Sequence, residues 1–346
     1  MVIVKENHTF DNYFAAFPGA DGEPGLPQAA DPPPSDPPHD HSAWLAGHAA
    51  GGAGGVREAY GLEDLPAYRA FAQQYALCDA YFTDVASQSE PNHLFLIAAD
   101  SPIIDNSSKS RRYQPEPPFD MKSLPEALEQ AGRQWRNYAN ARSSYFEHIK
   151  ALEGHRWNVP AGQFDADAAA GTLPDVSWLY APEGYSEHPP FGAKAAPVLK
   201  PGMGWTVDRV KAVAAGPQWA STAIFITWDD WGGWYDHVAA PQQQTWTSGP
   251  PRYAGTQFRY GQRVPCLAVS PYARQGVISH RYSHASIVKF CLRLFGLPAW
   301  NVPALAADDP SGDMWECFDF NAAPRLSAPD PTPADAAAPG AAAVRV

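Results

Sequence analysis

Residues 221–228 read STAIFITW and run directly into DDWGGWY at 229–235. From 223 to 228 every side chain is apolar or β-branched, which predicts a strand buried on both faces. The strand stops at two adjacent acids. Residues 2–4 (VIV) give the same signal in miniature and stop at Glu6-Asn7. A further buried strand is predicted at 264–270 (VPCLAVS), with shorter ones at 81–85 and 134–138. Helices are predicted at 63–77, with Pro near its start, at 121–132 and at 205–215. Residues 285–296 (ASIVKFCLRLFG) form an amphipathic helix ended by Gly and Pro. Residues 89–99 (SEPNHLFLIAA) read as a Ser cap followed by a helix.

Strands alternating with helices define an α/β fold with a mainly parallel central sheet flanked by helices in three layers, α/β/α. Ligands of such sheets bind beyond the carboxyl ends of the strands. The Pro-rich stretch at 18–38 and the Gly-rich stretch at 49–55 read as loops. From about 326 the chain is Pro/Ala-rich. Residues 1–325 are therefore expected to form a single domain with long loop insertions, and 326–346 a disordered tail.

Composition narrows the partners. The 346 residues carry 37 acids against 25 Lys and Arg, a formal charge of −12. That balance disfavours nucleic acid and electrostatic docking on anionic membranes. No stretch is apolar enough to span a bilayer. The first residues read as a strand rather than as a leader, without a basic n-region or an apolar h-region. Four Cys occur without a C-x-x-C pair. Cys266 and Cys291 lie in apolar runs and read as buried thiols; spacing leaves disulfides open.

Glu6, Asn7, Asp229 and Asp230 are oxygen donors at the ends of two buried strands. Carboxylates and amide oxygens suit hard or borderline divalent cations, so Ca, Mg, Mn and Zn all stay open. Taken singly, each pair is an ordinary turn after a strand. Together at one sheet edge they form a candidate metal site. Ser89 opens a helix, where a hydroxyl either caps or attacks. As a nucleophile it would face an incoming phosphate held by the helix dipole and free N–H groups. His41, His188, His237 and His284 sit in polar, turn-rich sequence, as phosphate ligands or general acids do. Trp228, Trp231 and Trp234 recur every three residues. They either pack under the acidic turn or line a pocket for a cationic headgroup. There is no P-loop, G-x-G-x-x-G, H-E-x-x-H or G-x-S-x-G.

Longer blocks carry a resemblance. ENHTFDNYFAAFPG (6–19) resembles the opening motif, E-N-R-S-F-D-x-Y-F-G, of the bacterial phosphoesterase family that includes non-haemolytic phospholipases C and acid phosphatases. LPAYRAFAQQYALCDAYF (65–82), SEPNHLFL (89–96), SEHPP (186–190), ITWDDWGGWYDHV (226–238), RVPCLAVSPYAR (263–274) and HASIVKFCLRLFGLP (284–298) are similar to family blocks in family order. The resemblance implies an alkaline-phosphatase-like fold and metal-dependent hydrolysis of phosphoric esters. It implies Glu6, Asn7, Asp229 and Asp230 as metal ligands, Ser89 as nucleophile giving a phosphoseryl intermediate, and His41 and His188 as catalytic histidines. Asn92, His237 and His284 are assigned to phosphate or substrate. The substrate is a small phosphomonoester or a phospholipid headgroup. A non-catalytic metal- or ligand-binding protein on the same fold is the alternative. Members of the family are commonly exported, while the first residues show no leader, so localisation stays open.

Three departures stand out. S-E-P-N-H replaces T-N-P-N-R, so His93 stands where Arg is usual. Asp230 and Trp231 replace Glu and His of D-E-H-G-G. GHAAGGAGGVREAYG (47–61) replaces G-K-M-D-G-F.

Overall fold

The computed structural model describes residues 1–49, 54–107, 114–140, 144–189 and 196–334. The strands of the main sheet, in chain order, are β1 (Val2–Lys5), β2 (Ala76–Cys78), β4 (Trp135–Tyr138), β5 (Asn158–Val159), β6 (Val176–Tyr180), β7 (Ile224–Trp228), β10 (Cys266–Val269) and β11 (Gly276–Ile278). Two small ribbons pair β3 (Tyr81–Phe82) with β12 (Tyr282–Ser283), and β8 (Gln244–Thr245) with β9 (Gln257–Arg259). The helices are α1 (Phe10–Phe14), α2 (His41–Ala49), α3 (Pro66–Gln74), α4 (Ser89–Ala98), α5 (Leu124–Gln130), α6 (Phe164–Ala170), α7 (Leu199–Ala215) and α8 (His284–Phe295).

The main sheet has the order β11-β2-β10-β7-β1-β6-β4-β5. Every neighbouring pair is parallel except those made by β10, which runs against both β2 and β7. Register then sets the site. Val4 lies opposite Tyr180, and Lys5 opposite Trp228. The chain therefore leaves β1, β6 and β7 at one sheet edge, and Glu6 and Asp229 emerge there side by side.

All residues of β1, β6, β7 and β10 are buried, Lys5 included, so both sheet faces are covered. Helices α4, α5 and α8 pack together, and α3, α6 and α7 form a second group. The Trp178 indole, on β6, donates to the Leu96 carbonyl of α4 at 3.2 Å, so its polar edge is satisfied inside the core. Helix α8 starts with the Ser283 N–H donating to Ser286 Oγ at 2.9 Å and ends at Gly296 with φ +64°.

The expected α/β architecture is present, with local corrections. The helix at 63–77 is shorter: it ends at Gln74, and Ala76–Cys78 becomes a strand between β10 and β11. Its all-apolar A-L-C run suits a two-sided burial that no helix stripe provides. Strand β6 (VSWLY), neighbour of β1, was not among the predicted strands, although its run is as apolar as that of β7. Residues 219–221 form a 3-10 turn, so β7 starts at Ile224. Helix α7 begins at Leu199, ahead of the predicted 205. Of the Gly-rich stretch, 50–53 lie outside the described residues. The Pro/Ala-rich segment is laid along α3 as far as 334. There Gln74 bonds both the carbonyl and the N–H of Asp330, and Gln73 accepts from the Ala334 N–H.

Candidate active site

Three chain segments bring the acids together. After β7, the Asp229 N–H donates to the Lys5 carbonyl at 3.0 Å, locking the two strand ends. The turn that follows is D-D-W-G-G. Gly232 has φ +58°, and a Cβ there would collide with the Asn7 carbonyl, so only Gly lets the turn close over Asn7. Asp230 Oδ1 accepts from the Gly232 N–H at 2.7 Å, which fixes the carboxylate. Its other oxygen accepts from Ser89 Oγ at 3.0 Å.

Ser89 is the first residue of α4, not its cap. Gln88 takes the cap position without a side-chain bond, which leaves the Ser89 hydroxyl for Asp230. Asn92 braces the loop before it. Its carbonyl oxygen accepts from Val85 N–H, and its NH2 donates to the carbonyls of Val85, Ser87 and Gln88. The Asn92 amide is thus committed to placing Ser89.

The histidines separate into four groups. His188 Nε2 lies 4.0 Å from Glu6 Oε2. His39 Nε2 lies 3.4 Å from the Asn7 amide, and its main-chain carbonyl accepts from the Trp231 indole at 2.9 Å. His93 Nε2 meets Asp229 Oδ2 at 3.1 Å. His284 stands behind the acids and donates to the Asp229 carbonyl at 2.7 Å. His41 has both ring nitrogens engaged elsewhere, by the Ala86 carbonyl and Thr256 Oγ1. His237 belongs to a different cluster and donates to Asp11 Oδ2 at 2.6 Å. The geometry therefore groups Glu6, Asn7, Ser89, Asp229, Asp230 and His188, and adds His39 and His93. It gives His41 and Asn92 bracing contacts and His237 its own ion network. Nothing in H-D-H (39–41) distinguishes His39 from His41; only the fold does.

Asp229 and Asp230 are buried, Glu6 is half-buried, and all three are short of cations. Burial first, then the neighbouring Asp229, pushes Glu6 and Asp230 up to about 7 each. Burial pushes Asp229 up to about 6. Among the described residues no Lys or Arg pairs with any of them. Asn7 Oδ1 and Asp229 Oδ1 are buried without a hydrogen-bond partner. Uncompensated negative charge with orphaned oxygens is costly unless a cation completes it. Glu6, Asn7, Asp229 and Asp230 carry the oxygen donors that a divalent ion takes, and two of those oxygens are orphaned. At the same mouth it is Asp36, His39 and His188 whose ligand atoms lie within 4.8 Å of one another. Burial opposes charge on His39, but Asp230 and the Pro37 carbonyl outweigh it and raise its pKa. Burial pushes His93 down to about 4. The aromatic turn is spent on packing: Trp228, Trp231 and Trp234 are all buried, and Trp231 lies on Trp44 and Ala86.

Residues 38–298 match the phosphoesterase family, and the chain belongs to that family. Among its relatives, it is 27% identical over 434 residues to the non-hemolytic phospholipase C of Burkholderia pseudomallei, covering 95% of this chain and 59% of that protein. It is 28% identical over 312 residues to phospholipase C B of Mycobacterium tuberculosis, covering 78% and 58% respectively. The chain thus spans about six-tenths of the length of these relatives. Solved structures similar to it include the lipoteichoic acid synthase LtaP of Listeria monocytogenes, at 9% identity and a TM-score of 0.48 over 91% of this chain and 74% of that one. Another is a protein in the alkaline phosphatase superfamily from Vibrio parahaemolyticus, at 12% identity and 0.44 over 85% and 74%.

Proposed function

We propose that this chain hydrolyses phosphoric esters with Ser89 as the nucleophile. The observation that carries the proposal is the Ser89 hydroxyl, which heads α4 and donates to Asp230 inside a nest of buried acids with orphaned oxygens. A divalent ion held by Glu6, Asn7, Asp229 and Asp230 would supply Lewis-acid activation of the hydroxyl and of the phosphoryl oxygens. Asp230 Oδ2 holds the Ser89 proton. The start of α4 directs its positive dipole end at the incoming phosphate. Ser89 Oγ bonds to phosphorus, and the alkoxide leaves with a proton. His188 and His39 donate from Nδ1 to the carbonyls of Pro189 and Pro37, so each would offer Nε2–H to the phosphoryl oxygens or the leaving group as an imidazolium. Water then cleaves the phosphoseryl ester.

Ser in place of Thr favours a phosphomonoester. The names of the relatives favour a phospholipid headgroup, as in a phospholipase C. Parallel assays of a chromogenic phosphomonoester and of phosphatidylcholine, in metal-depleted and metal-loaded protein, separate the two. Ser89→Ala should abolish whichever activity is present while the fold stays intact. Metal binding without turnover of either ester would favour the non-catalytic alternative.

A further inference from the structure

Beneath the acids lies a second charged pair that the proposed chemistry does not use. Lys5 and Glu187 are fully buried, with Nζ 3.0 Å from Oε1. Each directly precedes a residue of the site: Lys5 precedes Glu6, and Glu187 precedes His188.

The Glu187 carboxylate is saturated with donors. Besides Lys5, it accepts from Tyr13 OH at 2.8 Å, Trp228 Nε1 at 3.2 Å and Tyr68 OH. Its main-chain carbonyl accepts from His8 Nε2 at 3.1 Å. Lys5 also donates to the carbonyls of Tyr185 and Gly202. Gly202 has no room for a side chain, because a Cβ would strike the Glu187 side chain. Glu187 itself has φ +74°, a left-handed backbone that a residue with a Cβ holds only when its surroundings impose it. A main-chain bond from Glu6 N–H to the Ser186 carbonyl, 2.9 Å, ties the two segments at the same point.

We propose that the buried Lys5–Glu187 pair is a positioning device, which imposes the left-handed turn at Glu187 and so aims His188 at Glu6. The inference rests on the hydrolase reading of the site. The pair touches neither substrate nor metal. It acts by fixing two adjacent peptide units, one on β1 and one in the loop after β6. Removing the charge of Glu187 frees the turn to relax toward an ordinary φ and swings His188 away.

The test is Glu187→Gln, with Phe318→Leu as a remote control of comparable loss in Tm. In metal-loaded protein, Glu187→Gln should lower kcat by about 100-fold, the usual cost of a 1 Å misplacement, with KM little changed. Phe318→Leu should keep kcat. If Glu187→Gln does not fold, Tyr68→Phe, which removes one donor, should show a smaller loss of kcat of the same kind. Wild-type kcat in Glu187→Gln or in a folded Tyr68→Phe, or a loss no greater than that of the control, overturns the proposal. Should the wild type itself hydrolyse no ester, the hydrolase reading fails separately. Hydrogen exchange of residues 183–189 then decides: faster exchange in the same variant supports the device, and unchanged exchange overturns it.

Discussion

Asp230→Asn should stabilise the metal-free protein and destabilise the metal-loaded one relative to wild type. The Asp230 carboxyl moves from its ordinary 3.8 to about 7, first through burial and then through Asp229. A raised carboxyl pKa costs the fold nothing below the unfolded value. The penalty grows above 3.8 and is complete above about 7. At about 1.4 kcal/mol per pH unit, the full penalty is about 4 kcal/mol. Asn removes it but weakens the bonds to Ser89 and Gly232, a loss of about 1 kcal/mol. The net gain at pH 8 is about 3 kcal/mol, or about 4 °C in Tm for a chain of this size. At pH 5 the remaining penalty is about 2 kcal/mol, so the net gain shrinks to about 1 kcal/mol. Buried His8, His93 and His284, each pushed down to about 4 by burial, lower stability as pH falls below 6.5. His8 and His284 do so alike in both proteins and drop out of the difference, whereas Glu6, His39 and His93 each lose the neighbouring Asp230 charge in the variant. With a divalent ion at a thousandfold excess over Kd, wild type gains about 4 kcal/mol and the order reverses. The assay is thermal unfolding at pH 5 and 8, with EDTA and with each ion. A destabilised Asp230→Asn in EDTA at pH 8 would refute the reasoning.

Gly232→Ala should weaken divalent-ion binding measured by calorimetry, because the added Cβ strikes the Asn7 carbonyl at a φ of +58°. His39→Ala should lower kcat more than His41→Ala does, whereas His41→Ala should show chiefly in Tm, since its ring ties Ala86 to Thr256. Arg259→Met should cost about 3–5 kcal/mol in denaturant unfolding, because it strands Asp84 as a buried charge and leaves Asp309 only Lys289.

Periodicity alone carried the outline of the fold. STAIFITW and VIV are buried on both faces, and such runs have no other stable home than a covered sheet. The short strands resisted reading. Ala76–Cys78 continues an apolar helix without punctuation, and only its place between β10 and β11 makes it extended. The acids of the site were legible because they stop strands. Their pairing across β1 and β7 follows from a register that pattern cannot supply. His39 was hidden by its neighbour His41, and Asn92 by a motif that makes bracing and binding residues look alike. The Lys5–Glu187 pair was invisible for a plainer reason: a Lys at the end of an apolar run reads as the strand leaving the core, yet here it is fully buried.

The central claim is that Ser89 attacks phosphorus. Acid quench of metal-loaded protein turning over a radiolabelled phosphoric ester, followed by peptide mapping, tests it directly. The label should sit on the peptide containing Ser89 and vanish in Ser89→Ala, with turnover falling by about a thousandfold or more. Hydrolysis that continues in Ser89→Ala, or that proceeds in wild type with no label on Ser89, would contradict the account.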